Sequence, residues 1–317
     1  MRVLNEAAVT HFLKRAALLH SDIATLSPGA IEAAATRANQ RPASSALRIV
    51  DGEDKGWEPN PIHWEFGRIA LDGVRPNPSH DRFVSAWYRA TSAYQGARRE
   101  YGFLALQLDR GHAIFEKDAS LQLYSGVMHE AQAAPLVQTA LQSLSSHEFR
   151  PTVNSAADEL KLAEGFFRRA IDLDPTLAIA RVHLGRVMGL QGRHKEAAAE
   201  LRTVLPSLSD PRQRYFAELF LGAQEQALGR ASEAAAAFHR AGLLFPNAQS
   251  AYLALSQLAW QAADRTAART AFQSLAGLPA AAEDREDPWW TYDVSAMLDL
   301  ETLVTKLLEI AAEDLRK

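Results

Sequence analysis

The chain has 317 residues, with 34 Lys and Arg against 38 Asp and Glu, a formal net charge of −4 and no cysteine. A compact fold of this size buries roughly 70–75% of the surface of its unfolded chain, so neither disulfides nor metals are needed for stability. A composition of 47% hydrophobic and 23% charged residues excludes a wholly disordered chain. The absence of cysteine excludes disulfide frameworks, Cys-zinc sites, iron–sulfur clusters and thiol catalysis. The slight acidity excludes a nucleic-acid binder that works by bulk charge.

Residues 1–40 read as one or two amphipathic helices broken at Ser27-Pro28-Gly29. Their start lacks a 7–15-residue apolar core, so no leader is read and a cytoplasmic location is the default expectation. An exported life remains open if a leader has been removed. No window approaches 18 consecutive apolar residues, so no membrane span is expected. Residues 41–81 gather prolines, glycines and acidic residues that cannot sustain long helices, with Trp57 and Trp64 as packing elements. Residues 82–150 read as degenerate helical repeats. RFVSAWYRATSAY offers Trp87, Ala90 and Tyr94 at helical spacing, and KDASLQLYSGVMHEA opens a second unit with Ser125-Gly126. Pro151 falls where a first helix should run, so an insertion is expected before the regular units.

Residues 151–282 carry the main signal. LGRVMGLQGRHKEAAAELRTVL, LGAQEQALGRASEAAAAFHRAG and LSQLAWQAADRTAARTAFQSLAG align around Gly192, Gly229 and Ala263, which lie 37 and 34 residues apart. Each turn is followed by an alanine (Ala197, Ala234, Ala268) and then by Leu201, Phe238 or Phe272. A small residue lets two helices approach, and the large one fills the remaining gap. Such a hairpin cannot bury its apolar face alone and stacks on its neighbours. Residues 283–317 begin with Asp287 and Pro288 as a helix start, and Leu300 to Ala311 form an apolar stripe. This terminal helix could serve as a solubilising cap on the last repeat or as an occupant of a groove.

The pattern resembles the tetratricopeptide repeats, whose landmarks are W-x2-L-G-x2-Y, A-x3-F, a further alanine and a closing proline. One window contains Leu221, Gly222, Ala234, Phe238, Ala241 and Pro246. Upstream, Ala163, Phe167, Ala170 and Pro175 reproduce the second half. The resemblance implies an all-α, right-handed superhelical solenoid whose first helices line a concave binding face. Carried onto this chain, that face includes Ile179, Val182, Arg186, Phe216, Leu219, Gln226, Leu253, Gln257 and Trp260. Trp260 is either a partner anchor or a packing residue. The chaperone-tail clamp of this family is absent, because Val182, Leu219 and Leu253 occupy its positions.

Catalytic chemistry is not legible. His129-Glu130 opens like a metalloprotease helix, but Ala133 stands where the second ligand should be. There is no dinucleotide fingerprint, P-loop or nucleophile elbow. No catalytic residue, metal site or cofactor is therefore expected. The expectation is a non-catalytic scaffold that presents a groove to a peptide or protein and can self-associate through its ends. Two rivals stand beside it. One is an enzyme with a site in residues 41–150, which would gather His63, Asp72, His80, Asp81, His112 and His129. The other is a structural assembly subunit. A sugar platform built from Trp57, Trp64, Trp289 and Trp290 is a weaker alternative to tryptophan packing.

Overall fold

Three helix ends share one geometry that no ordinary residue adopts freely. Gly192 and Gly229 have φ of 79° and 74°, and Ala263 follows them at 55°. In each case the next amide closes back on a carbonyl five residues earlier: Arg193 to Met188, Arg230 to Glu225 and Asp264 to Ala259, all at 2.9 Å. This satisfies carbonyls that a helix end leaves open and reverses the chain sharply. Turns at this period convert the sequence into antiparallel helix pairs.

The computed structural model describes residues 82–99, 101–144, 154–279 and 286–299, with scattered residues between 302 and 313. The predicted helices of 1–40 and the irregular segment 41–81 lie outside these residues. The described elements are α1 (Arg82–Ala97), α2 (Tyr101–Ile114), α3 (Ala119–Gln132), α4 (Pro135–Leu144), α5 (Ala156–Leu173), α6 (Ala178–Leu190) and α7 (His194–Val204). They continue with α8 (Pro211–Ala227), α9 (Ala231–Leu244), α10 (Gln249–Gln261) and α11 (Arg265–Ala276). A 3-10 helix, Pro288–Met297, follows. No strand occurs among the described residues. The described residues are all-α, and their repeats form a tetratricopeptide-like solenoid.

The residues divide into two compact units, one drawn from Met1–Glu116 and Met297–Lys317, the other from Lys117–Ala296. In the first, α1 packs along α2. Trp87 and Tyr88 are fully buried, with ring centroids 4.9 Å apart at right angles. Met297 lies over Gly96, where a Cβ would fall 1.8 Å from the methionine sulfur.

In the second unit, α3 pairs with α5, α6 with α7, α8 with α9 and α10 with α11. The sequence divides α3 from α5 at Pro151, yet the two form one hairpin with α4 inserted between them. The same contact recurs within three pairs. A Cβ on Gly126 would meet the Phe167 ring at 2.5 Å, one on Gly185 would meet Leu201 at 2.7 Å, and one on Gly222 would meet Phe238 at 2.4 Å. Phe167, Leu201 and Phe238 are all buried. Glycine is required at these positions by close approach, not by turn geometry. Capping carboxylates start several helices: Asp118 accepts from Ser120 and Leu121, Asp210 from Arg212, and Asp264 from Thr266 and Ala267. The first helices of neighbouring hairpins, α3 with α6, α6 with α8 and α8 with α10, also touch one another. They make one continuous face.

Candidate functional site

On that face the chain holds a segment of itself. Residues 287–292 lie against α3, α6, α8 and α10, the first helices of four successive hairpins. Two buried anchors do most of the work. The first is Asp287, only 3% exposed. Its carboxylate accepts hydrogen bonds from the Ser250 amide (2.8 Å), the Ser250 hydroxyl (2.7 Å) and the Tyr215 hydroxyl (3.0 Å), and from the amide of Trp289 (3.0 Å). Ser250 lies in the first turn of α10, where the helix dipole favours an anion. Burial and the adjacent Asp287 carboxylate push the Tyr215 phenol well above its ordinary value.

The second anchor is Tyr292, 4% exposed. Its ring stacks on His183 (4.9 Å) and Trp289 (5.5 Å), and meets Phe216 (5.0 Å) and Phe220 (4.9 Å) edge-on. Its hydroxyl donates to Glu130 Oε1 at 2.8 Å and lies 2.8 Å from His183 Nδ1. His183 is fully buried, and its Nδ1 is 2.7 Å from Glu130 Oε2. With the proton on Nδ1, the imidazole donates to the carboxylate while the phenol donates to the other oxygen. Burial by itself would raise the Glu130 pKa. Its interactions with His183, Arg186 and the Tyr292 hydroxyl outweigh that and hold the carboxyl below its usual range. Burial, then the Glu130 charge, push the Tyr292 phenol well up.

Arg186 completes the arrangement. Its Nε stands 2.9 Å from Glu130 Oε1 as an ion pair lying off the hydrogen-bond axis. Its guanidinium carbon lies 4.9 Å from the Phe220 ring centroid, 4.7 Å from Trp289 and 4.6 Å from Tyr292. Each face-on cation–ring contact is worth about 0.5–2 kcal/mol, increasing as water is excluded. Two rings of this cage come from the segment and one from α8. The arrangement orients a phenol and a carboxylate but leaves no open nucleophile–base pair.

The nine residues expected on this face divide into two groups. Ile179, Val182, Phe216 and Leu219 are buried, and Arg186 is largely covered. Phe216 and Arg186 contact the segment directly. Leu253, Gln257 and Trp260 are exposed, Trp260 to 76%. The Trp260 side chain is therefore not a packed core residue of its hairpin. Gln226 is half-buried and bonds Gln261 at 2.7 Å. Sequence reasoning missed Glu130, His183, Tyr215 and Phe220, because their partner segment is remote along the chain. His129-Glu130, set aside as an incomplete metal motif, proves to be two residues that bond across helices: His129 Nδ1 lies 2.6 Å from Glu159 Oε2, and Glu130 Oε2 lies 2.7 Å from His183 Nδ1. Trp289 and Trp290 are 37% and 39% exposed, and Trp289 belongs to the arginine cage.

The segment starts differently from the expected α-helix. Asp287 does cap a helix start, but Pro288–Met297 winds as a 3-10 helix, because its anchors on α8, α10 and α3 dictate its course. Most of the Leu300–Ala311 stripe lies outside the described residues. Phe272, at the last hairpin, is 61% exposed. Of the residues proposed for a scattered catalytic cluster, His63, Asp72, His80 and Asp81 lie outside the described residues. Among the described residues, no helix is long and apolar enough to cross a membrane, and no group of three His, Asp or Glu could hold a metal.

No family model matches the chain. No curated protein matches it in sequence. Several solved structures are similar. One is PilF of Pseudomonas aeruginosa, at 17% identity and a TM-score of 0.48, covering 75% of this chain and 100% of that one. Another is PilW, described as a widely conserved type IV pilus biogenesis factor, at 17% identity and a TM-score of 0.48, covering 71% and 90%. A third is MamA, at 18% identity and a TM-score of 0.42, covering 61% and 94%. Likeness at this level names neither a family nor a partner for this chain.

Proposed function

We propose that the protein is a non-catalytic scaffold whose concave face grips a peptide or protein segment. One observation carries this reading: the first helices of four hairpins hold residues 287–292 through side-chain-specific contacts, so the face is built to bind polypeptide. Leu253, Gln257 and Trp260 continue that face as an exposed stretch, and an exposed aromatic beside polar groups has the character of a binding hot spot. The test is crosslinking in the native cell followed by mass spectrometry, with wild-type protein and with Leu253→Asp/Trp260→Ala. Partners captured by the wild type and lost from the folded variant support the reading. An unchanged set of partners overturns it.

Exposed Phe272 on α11 favours a second reading, a subunit that assembles through the end of its solenoid. Sedimentation velocity would show a concentration-dependent dimer that Phe272→Gln abolishes. A wild-type protein that stays monomeric at all concentrations would remove this reading.

A further inference from the structure

The small-on-large contacts that close the hairpins do not involve the segment. The hairpins close through Gly126 on Phe167, Gly185 on Leu201 and Gly222 on Phe238, and none of these contacts involves residues 287–292. In contrast, the Glu130 carboxylate, the Tyr215 hydroxyl and the Ser250 amide all point at the segment. His183 and Arg186 of α6 already compensate the Glu130 charge, and the Tyr292 hydroxyl adds a further donor from the segment. The segment is a ten-residue 3-10 helix. Runs of that length are uncommon and intrinsically weak, so the groove imposes this conformation. Its two tryptophans are more than a third exposed, so it is only half sunk into the face.

We propose that residues 287–292 are an intramolecular stand-in for the protein's partner, and that the partner is a peptide carrying a carboxylate followed five residues later by a tyrosine. This deepens the scaffold reading above and rests on it. Five residues of 3-10 helix place the two groups about 10 Å apart along the segment. The carboxylate takes the place of Asp287 on Ser250 and Tyr215. The phenol takes the place of Tyr292, with its hydroxyl on Glu130 and its ring under Phe220. The pocket selects tyrosine over phenylalanine, because a ring without a hydroxyl removes the donor that Glu130 Oε1 receives at 2.8 Å. It disfavours a phosphotyrosine, whose charge would face the Glu130 carboxylate. The partner displaces the resident copy, which competes at the high effective concentration of a tethered ligand.

The probe is a fluorescent synthetic peptide of this chain's own residues 286–296, EDPWWTYDVSA, titrated against the full chain and read by anisotropy. Full-length Asp287→Ala/Tyr292→Ala should bind it at least tenfold more tightly than the wild type, whose groove is occupied. The same peptide with phenylalanine at the tyrosine position should lose about tenfold in affinity. Added Glu130→Leu, which removes the acceptor, should erase that preference. A folded double variant that fails to bind the peptide would make the segment a permanent part of the fold and overturn the proposal. Equal binding of the tyrosine and phenylalanine peptides would overturn the recognition rule. Should the double variant fail to fold, Tyr292→Phe keeps the ring and removes only the hydroxyl contacts. It should still take up the peptide more tightly than the wild type, and no gain would again overturn the proposal. These outcomes are independent of whether cellular partners depend on Leu253 and Trp260, so the two readings can fail separately.

Discussion

Alanine substitution at two helical glycines should move stability in opposite directions. Gly165 on α5 is exposed, and an added Cβ would meet nothing within 4 Å. Gly165→Ala therefore recovers helix propensity, about 1 kcal/mol, at no steric cost. Gly222 on α8 has the same propensity to recover, but its Cβ would lie 2.4, 2.6 and 2.9 Å from three carbons of the Phe238 ring. Unstrained carbon contacts lie at about 3.5–4.0 Å, so the ring or the helix must retreat by about 1 Å. Phe238 is 2% exposed, so any retreat of the ring displaces its buried neighbours. Overpacking of this kind costs about 1–3 kcal/mol, which exceeds the propensity gain. The net effect is a loss of up to about 2 kcal/mol. For a unit of this size each kcal/mol shifts the melting midpoint by about 2–4 °C. Thermal melts followed by far-ultraviolet circular dichroism should show Gly165→Ala melting higher than the wild type and Gly222→Ala lower by several degrees. A Gly222→Ala variant that melts as high as Gly165→Ala would refute the contact between α8 and α9 on which the repeat register rests.

Ala263→Gly should stabilise by about 0.5–1 kcal/mol, because alanine pays to hold the left-handed conformation that glycine adopts freely; a urea midpoint below that of the wild type would contradict this. The seating of Tyr292 should depend on pH at both extremes. Glu130 has a depressed pKa when folded, so its contribution is fully present above pH 4.5 and is lost as pH falls through the folded value. Tyr292 has a raised pKa when folded, so its contribution is fully present below pH 10 and is lost as pH rises beyond it. Trp289 fluorescence should therefore change at the acid end, and tyrosinate absorbance with Trp289 fluorescence at the alkaline end; an emission that stays constant through both ends would count against the cluster. Arg186→Leu removes the cation from the Phe220, Trp289 and Tyr292 rings and leaves Glu130 short of charge compensation. It should cost about 1–3 kcal/mol and red-shift the tryptophan emission as the segment loosens. An unchanged spectrum would show that the cage does not hold the segment.

The hairpins were legible in the sequence because each is a local problem. Gly192, Gly229 and Ala263 mark turns, since a positive φ admits few residue types. Gly222 with Phe238 marks a close helix contact, since small must face large at a fixed spacing. The degenerate half-patterns at Gly126 and Phe167 were visible separately, but only tertiary packing joined them, because the inserted α4 breaks the period. Two of the residues that touch the segment were legible. Phe216 and Arg186 follow from repeat position, whereas Glu130, His183 and Phe220 became a site only when Tyr292 arrived from 162 residues along the chain. No periodicity encodes that meeting. Pro288 after Asp287 does announce a helix start, but the 3-10 winding is decided by two buried hydrogen-bonding anchors on other helices. Local sequence determines where this chain bends and pairs. Which surface the chain covers with itself is settled by long-range satisfaction of buried charge, which only the folded arrangement contains.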